Sequence, residues 1–168
     1  MPMSASLSMA ASVDLSKALD LTTARDGLAF RRAVQLNDGT GAGKADRVFH
    51  DRRTLAASAT EDLDLAGVLL DAFGATITFV RVKGLFISAA AANTNNVVVG
   101  AATSAWATLL SATGTLTLRP GASVGAMAGP ADTTAYAVTA GTADLLKVAN
   151  SGAGSTVAYD IVIVGSSA

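Results

Sequence analysis

The stretch "STVAYDIVIVG", Ser155–Gly165, decides the fold class. In an extended chain successive side chains point to opposite faces. Val157, Tyr159, Ile161 and Ile163 therefore share one face, and Ala158, Asp160, Val162 and Val164 share the other. A strand that is apolar on both sides is covered on both sides, so this segment reads as a central strand.

Working outward, the same grammar repeats. "GTLTLRPG" sets Leu116 and Leu118 against Thr115, Thr117 and Arg119, and Pro120-Gly121 supplies a turn. "TAYAVTAGTADLLKVANSGAGS" holds short strands near Tyr136–Thr139 and Leu145–Ala149, parted by Ala140-Gly141. In "AAAANTNNVVVG" a loop tipped by Asn93–Asn96 feeds a strand at Val97–Val99, the asparagines serving turn geometry. "ATITFVRVKGLFIS" changes phase: Ile77 and Phe79 share one face, while Val80, Val82 and Phe86 take the other. A β-bulge or a strand changing sheets resolves such a switch, and Gly84 eases the bend.

Earlier in the chain, "LAFRRAVQL" (Leu28–Leu36) suits a strand. "TEDLDLAG" suits another followed by a turn, although Leu65, Val68, Leu69 and Ala72 also keep helical spacing. Residues 1–16 hold few large apolar groups and read as an arm. The expected fold is all-β, a β-sandwich or jelly-roll-like domain with an extended N-terminal arm. Residues 1–52 would form the arm and first strands, a possible docking segment, and residues 53–168 the sandwich.

Composition narrows the function. Of 168 residues 51% are hydrophobic, enough for a core, while only 15% are charged, against about 25% in ordinary soluble domains. Ten of the twelve basic and ten of the thirteen acidic residues precede Gly84. The charge-poor second half suits surfaces that pack against copies or partners, or a sandwich whose outer faces are Thr and Ser. A net charge of −1 gives no footprint for nucleic acid. Cysteine is absent and His50 is the single histidine, which removes thiolate chemistry and multi-histidine metal sites. "MPMSASLSMAAS" lacks the basic and apolar regions of a signal peptide. No apolar run nears the ~18 residues of a membrane span.

"LNDGTGAGKADR", Leu36–Arg47, imitates a phosphate loop. In the Walker pattern the leading glycine would fall on Asp38 and the hydroxyl residue on Ala45. A carboxylate would then face phosphate and nothing would ligate magnesium. The dinucleotide glycine spacing fails as well, so "DGTGAG" reads as a turn or linker.

Other chemistry is thin. Asp62 and Asp64 share a strand face near Glu61, but the remaining ligands of a calcium loop are missing. His50-Asp51 has no serine in a nucleophile elbow to serve. No catalytic, cofactor-binding or metal-binding residue is assigned, and the chain is expected not to be an enzyme. Trp106, the only tryptophan, is either a core residue or an anchor in a subunit contact. Arg31, Arg32, Arg52 and Arg53 are candidate contacts to an acidic partner surface or plain solvation, each pair diverging to opposite faces if it lies in a strand.

"LAASATEDLDLAG", "DAFGATITFVRVKGLFI", "NTNNVVVGAA", "LTLRPG" and "AVTAGTADLLKVANSGAGSTVAYDIVIVG" resemble phrases of small structural proteins of tailed bacteriophages, of the head decoration or minor capsid kind. The resemblance runs from about Arg53 to the C-terminus. It implies a β-sandwich virion component made in the bacterial host cytoplasm. Such a capsid cement protein would bind the major capsid protein of the assembled head as a trimer, with no nucleic acid or membrane partner. The alternative is a tail- or neck-associated protein that recognises a host-surface receptor or glycan.

Overall fold

The computed structural model describes residues 2–168. Twelve strands follow in chain order: β1 (Ala5–Ala18), β2 (Thr23–Asp38), β3 (Lys44–Ala45), β4 (Arg47–Leu55), β5 (Thr60–Asp64), β6 (Arg81–Ala89), β7 (Val97–Gly100), β8 (Thr115–Leu118), β9 (Ser123–Met127), β10 (Tyr136–Ala137), β11 (Leu145–Asn150) and β12 (Val157–Ser166). No helix occurs among the described residues. The protein is all-β, as its alternation predicts.

Two antiparallel sheets make the body. One has the order β10-β6-β12-β4 with β9 also paired to β6, and the other runs β5-β11-β7-β8. Ser155–Gly165 does become central: β12 is hydrogen-bonded to β6 on one side and β4 on the other. Its Val157, Tyr159, Ile161 and Ile163 are each 1% exposed and meet Leu63, Val97, Val99, Leu146 and Val148 of the opposite sheet in one continuous core. Two apolar faces buried against each other are what a sandwich requires.

A β-bulge does fall within "ATITFVRVKGLFIS", but at Lys83, after the switch between Phe79 and Val82, and it sends Phe86 to the face opposite Val82. Gly165 pairs with Val82 and Val164 pairs with Gly84, so Lys83 is an extra residue on β6. Val82 before it and Leu85, Ile87 and Ala89 after it can then all point into the core. Residues 77–79 stay outside the strand as extended chain, held by Ile77 N–H to Leu69 C=O and Phe79 N–H to Leu65 C=O, each 2.8 Å. "TEDLDLAG" resolves as strand then turn, with β5 ending at Asp64. Asp64 Oδ1 accepts the Ala66 N–H at 2.8 Å, closing an Asx turn that competes with helix.

The extended arm is a paired ribbon. Residues 5–18, read above as part of an arm with no strand of their own, form β1, which makes a hairpin with β2 over fourteen register pairs, from Ala5↔Leu36 to Ala18↔Thr23. The alternation of Leu7, Met9, Val13 and Leu15 with serines carries this strand, a signal that their modest number obscures. Residue 52 lies within β4, which pairs with β12 along its length. "DGTGAG" is a structured turn rather than a phosphate loop. It returns the chain to lay β3 parallel to the end of β2, Gly39 and Gly43 take positive φ (123° and 63°), and strand β4 follows where a helix would be required.

Candidate interface

The pairing register sorts the hairpin into two faces. Leu7, Met9, Val13 and Leu15 of β1 stand opposite Val34, Arg32, Leu28 and Asp26 of β2. Ser6, Ser8, Ser12 and Asp14 stand opposite Gln35, Ala33, Ala29 and Gly27 on the other face. One face is thus mainly large and apolar, the other small and polar.

Only the base of the apolar face is covered. Leu7, Val34 and Leu36 are buried with Ala45 and Val164, with Phe86 and Met127 packed alongside. Val164, Phe86 and Met127 belong to the outer face of the five-stranded sheet, because they alternate with its buried residues. Gly84 makes the seat: a Cβ there would come 2.5 Å from Leu7 Cδ1. It also directly follows the bulge at Lys83, so close approach adds to the bend expected from sequence. Beyond the base, Met9, Val13, Leu15, Leu28 and Phe30 are exposed, as are Leu19 and Leu21 at the tip. Between Ser8–Ala10 and the outer residues Phe86, Ser123, Gly125 and Val162 lies an open cleft of about 510 Å³. A contiguous apolar patch of this kind on a water-facing surface marks an interaction site.

The four arginines singled out above are not brought together. Arg31 and Arg32 diverge as expected for strand neighbours: Arg31 sits on the small-residue face, while Arg32 lies over the Phe30 ring at 4.8 Å on the apolar face. Arg52 and Arg53 diverge likewise. On the outer face Arg52 grips Asp160 through Nε to Oδ1 (2.6 Å) and Nη2 to Oδ2 (2.9 Å). That bond raises the Arg52 pKa and lowers that of Asp160.

Arg53 points inward at the sandwich edge. Its Nη1 donates to Glu61 Oε2 at 2.7 Å, and its guanidinium lies 5.7 Å from the Phe49 ring. Its Nε is 3.2 Å from Asp51 Oδ2, an ion pair whose direction makes no hydrogen bond, leaving that nitrogen buried and undonated. Tyr159 Oη donates to Glu61 Oε1 at 2.6 Å. Burial first, and the Glu61 carboxylate second, push the Tyr159 phenol well above its ordinary range. Glu61 on β5 thus ties both sheets together, a stitch that no spacing in the sequence announces.

Trp106 is engaged inside the body. It is 4% exposed, its Nε1 donates to Ala137 C=O at 2.9 Å, and its ring meets Tyr136 edge-on at 6.2 Å. Core packing, one of its two readings, is the observed role, and the ring is not available on the surface of the single chain. Beside it lies an apolar void of about 30 Å³ lined by Leu85, Ile87, Val99, Leu109 and Leu146. That is room for about one water and no ligand.

His50 is exposed, paired across to Val162 on the outer face, whereas Asp51 points inward to Arg53. The adjacent pair therefore diverges and makes no dyad. Asp62 lies opposite Lys147, and Glu61 faces away from Asp62 into the core edge. Among the described residues no three His, Asp or Glu side chains come together as metal ligands, and no helix is long and apolar enough to cross a membrane. The asparagines knit loops: Asn95 Nδ2 reaches Asn150 Oδ1 (3.0 Å) and Gly152 C=O (2.9 Å), while Asn93 exchanges two 2.8 Å bonds with the Ala158 backbone. No protein-family model, curated protein or solved structure matches this chain.

Proposed function

We propose that this chain is a structural protein of a bacteriophage virion, a decoration or cement protein that binds the assembled head as a trimer. The observation that carries the reading is the hairpin: a two-stranded arm with an uncovered apolar face on a charge-poor body. The ionisable side chains of the body are paired or scattered, which suits a building block better than a reaction site. The phage-like phrases quoted above, and the jelly-roll-like form that goes with them, supply the virion and the major capsid protein as partner. A trimer presenting three weak contacts gains effective affinity through multivalency. Contacts completed only in the shell stabilise that shell by mass action.

The receptor-binding alternative has less support. The amides of Asn93 and Asn95, its best polar loop, are occupied within the chain. The test is co-sedimentation of purified protein with assembled phage heads and with free capsid subunits. Strong binding to heads and weak binding to subunits is expected. Strictly monomeric behaviour together with no head binding sinks the proposal.

A further inference from the structure

We infer that the cleft between the root of the hairpin and the outer face of the five-stranded sheet binds a neutral saccharide. The C–H face of a pyranose ring stacks on Phe86 and Val162, and its hydroxyls reach Ser88, Ser123 and Asp160. The inference goes beyond the structural role proposed above and does not depend on it.

The pairing register draws the floor of this site. Two adjacent cross-strand rows face outward from β9, β6 and β12. Gly125, Phe86 and Val162 make one row, and Ser123, Ser88 and Asp160 make the next. Strands stand about 4.8 Å apart, and rows two residues apart are separated by about 7 Å. An apolar strip and a polar strip thus lie side by side within the reach of one sugar ring and its hydroxyls. Both line the cleft of about 510 Å³, whose wall is Ser8, Met9 and Ala10. That volume lies within the ~300–1,000 Å³ of small-molecule sites.

The apolar row is arranged for stacking. A Cβ on Gly125 would come 2.7 Å from Phe86 Cδ1 and 2.8 Å from Cε1, so the ring leans over the glycine in the space a side chain would fill. Phe86 stays half-buried beside Val162, which is 36% exposed. The electron-rich face of an aromatic ring attracts weakly positive C–H groups as it attracts the edge of another ring.

The polar row selects hydroxyls over ions. Ser88 and Ser123 share one hydrogen bond, Oγ to Oγ at 2.7 Å, which leaves a hydroxyl hydrogen and free lone pairs for a ligand. Asp160 is gripped on both oxygens by Arg52, and each oxygen keeps a lone pair. The two charges offset each other, so an anion is repelled by Asp160 and a cation by Arg52. A sugar hydroxyl donates to the one and accepts from the other. The bidentate grip also holds the acceptor in place before a ligand arrives. A lipid chain would cover this row without pairing it, at a desolvation cost. The floor is a sheet face and not an edge, so it offers no backbone ladder to a peptide strand.

Saturation-transfer difference NMR on the full chain with glucose, galactose, mannose and N-acetylglucosamine tests the assignment. At least one of these sugars should bind in the millimolar range, with the strongest transfer to its ring C–H protons. Asp160→Asn and Ser88→Ala should each weaken that binding at least about ten-fold with Tm retained. Phe86→Leu should remove the preference for ring protons. Ser12→Ala, on the small polar face of the hairpin and outside the cleft, should leave binding unchanged. Silence from all the sugars overturns the inference. So does sugar binding that survives both polar-row substitutions, or binding of sodium phosphate or hexanol at the same residues as tight as that of the best sugar. If Phe86→Leu does not fold, the polar-row variants still decide. Sugar binding by a protein that stays monomeric and ignores phage heads supports this inference and removes the cement reading. Head binding by a protein that gives no sugar signal does the opposite.

Discussion

The arm and the body obey one code with different outcomes. Both β1 and β12 alternate along their length, but Ile161 and Ile163 are 1% exposed whereas Val13 and Leu15 are 55% and 67% exposed. β12 is apolar on both faces and β1 on one, yet that one face of β1 is as apolar as the covered faces of β12. The second layer that covers β12 is folded from the same chain, whereas among the described residues β1 is covered only at its base, around Leu7. An apolar face therefore reports a need for cover without saying who provides it.

The sharpest way to break the comparison is to put equal lesions in both regions. Gly165→Ala should be the most damaging single change, because its Cβ would fall 2.3 Å from the Arg81 carbonyl oxygen and 2.7 Å from the Phe79 ring. We expect a loss of about 3 kcal/mol or more by urea denaturation. Ile161→Ala should lose about 2–5 kcal/mol, while Val13→Ala should change unfolding of the isolated chain by no more than about 0.5 kcal/mol. A large effect of Val13→Ala on a monomer would show that the arm face is already covered within the chain.

Next in size is Asn150, which is 4% exposed. Its Nδ2 donates to Ala56 and Ser155 carbonyls at 2.9 and 2.8 Å. Asn150→Ala should lose about 2 kcal/mol, since it removes a buried amide together with both of its bonds.

Smaller still is a pH effect confined to the body. Tyr159 has a phenol pKa raised in the folded state, so the folded form keeps its proton where the unfolded form loses it. Its contribution is complete below the ordinary value of about 10 and is lost as pH rises beyond it. Stability should fall above that point, and Tyr159→Phe should flatten the alkaline limb of a Tm-against-pH curve. The smallest effect belongs to Arg52→Ala: its partner contact is exposed, and Tm should be unchanged within measurement.

Much of the body was legible because each strand carries its own pattern. Leu116 and Leu118 against the threonines, Val97–Val99, and the four-residue stripe of Ser155–Gly165 all require only period two. The phase switch between Phe79 and Val82 correctly announced irregularity, since no straight strand could bury both; the chain meets it by starting β6 only at Arg81, and the bulge at Lys83 follows. Less was legible at the interface. Trp106 offered two roles that sequence could not separate, because a tryptophan suits a core and a contact alike. The pairing of the arm's first residues as β1 was not legible, because β1 alternates small serines with few large groups and its partner strand has to be recognised with it. Gly84 was legible as a residue at a bend, but not as the seat of Leu7, which is distant in sequence and adjacent only after folding.

The amino-acid sequence alone determined that this chain is all-β, since alternation and turn chemistry are local and act within a few residues. Only the tertiary structure decided which apolar faces find cover: Leu7 over Gly84, Glu61 between the two sheets, and Met9 to Leu15 without any. Burial is a property of what lies opposite, and what lies opposite is set by long-range pairing rather than by neighbours in the chain.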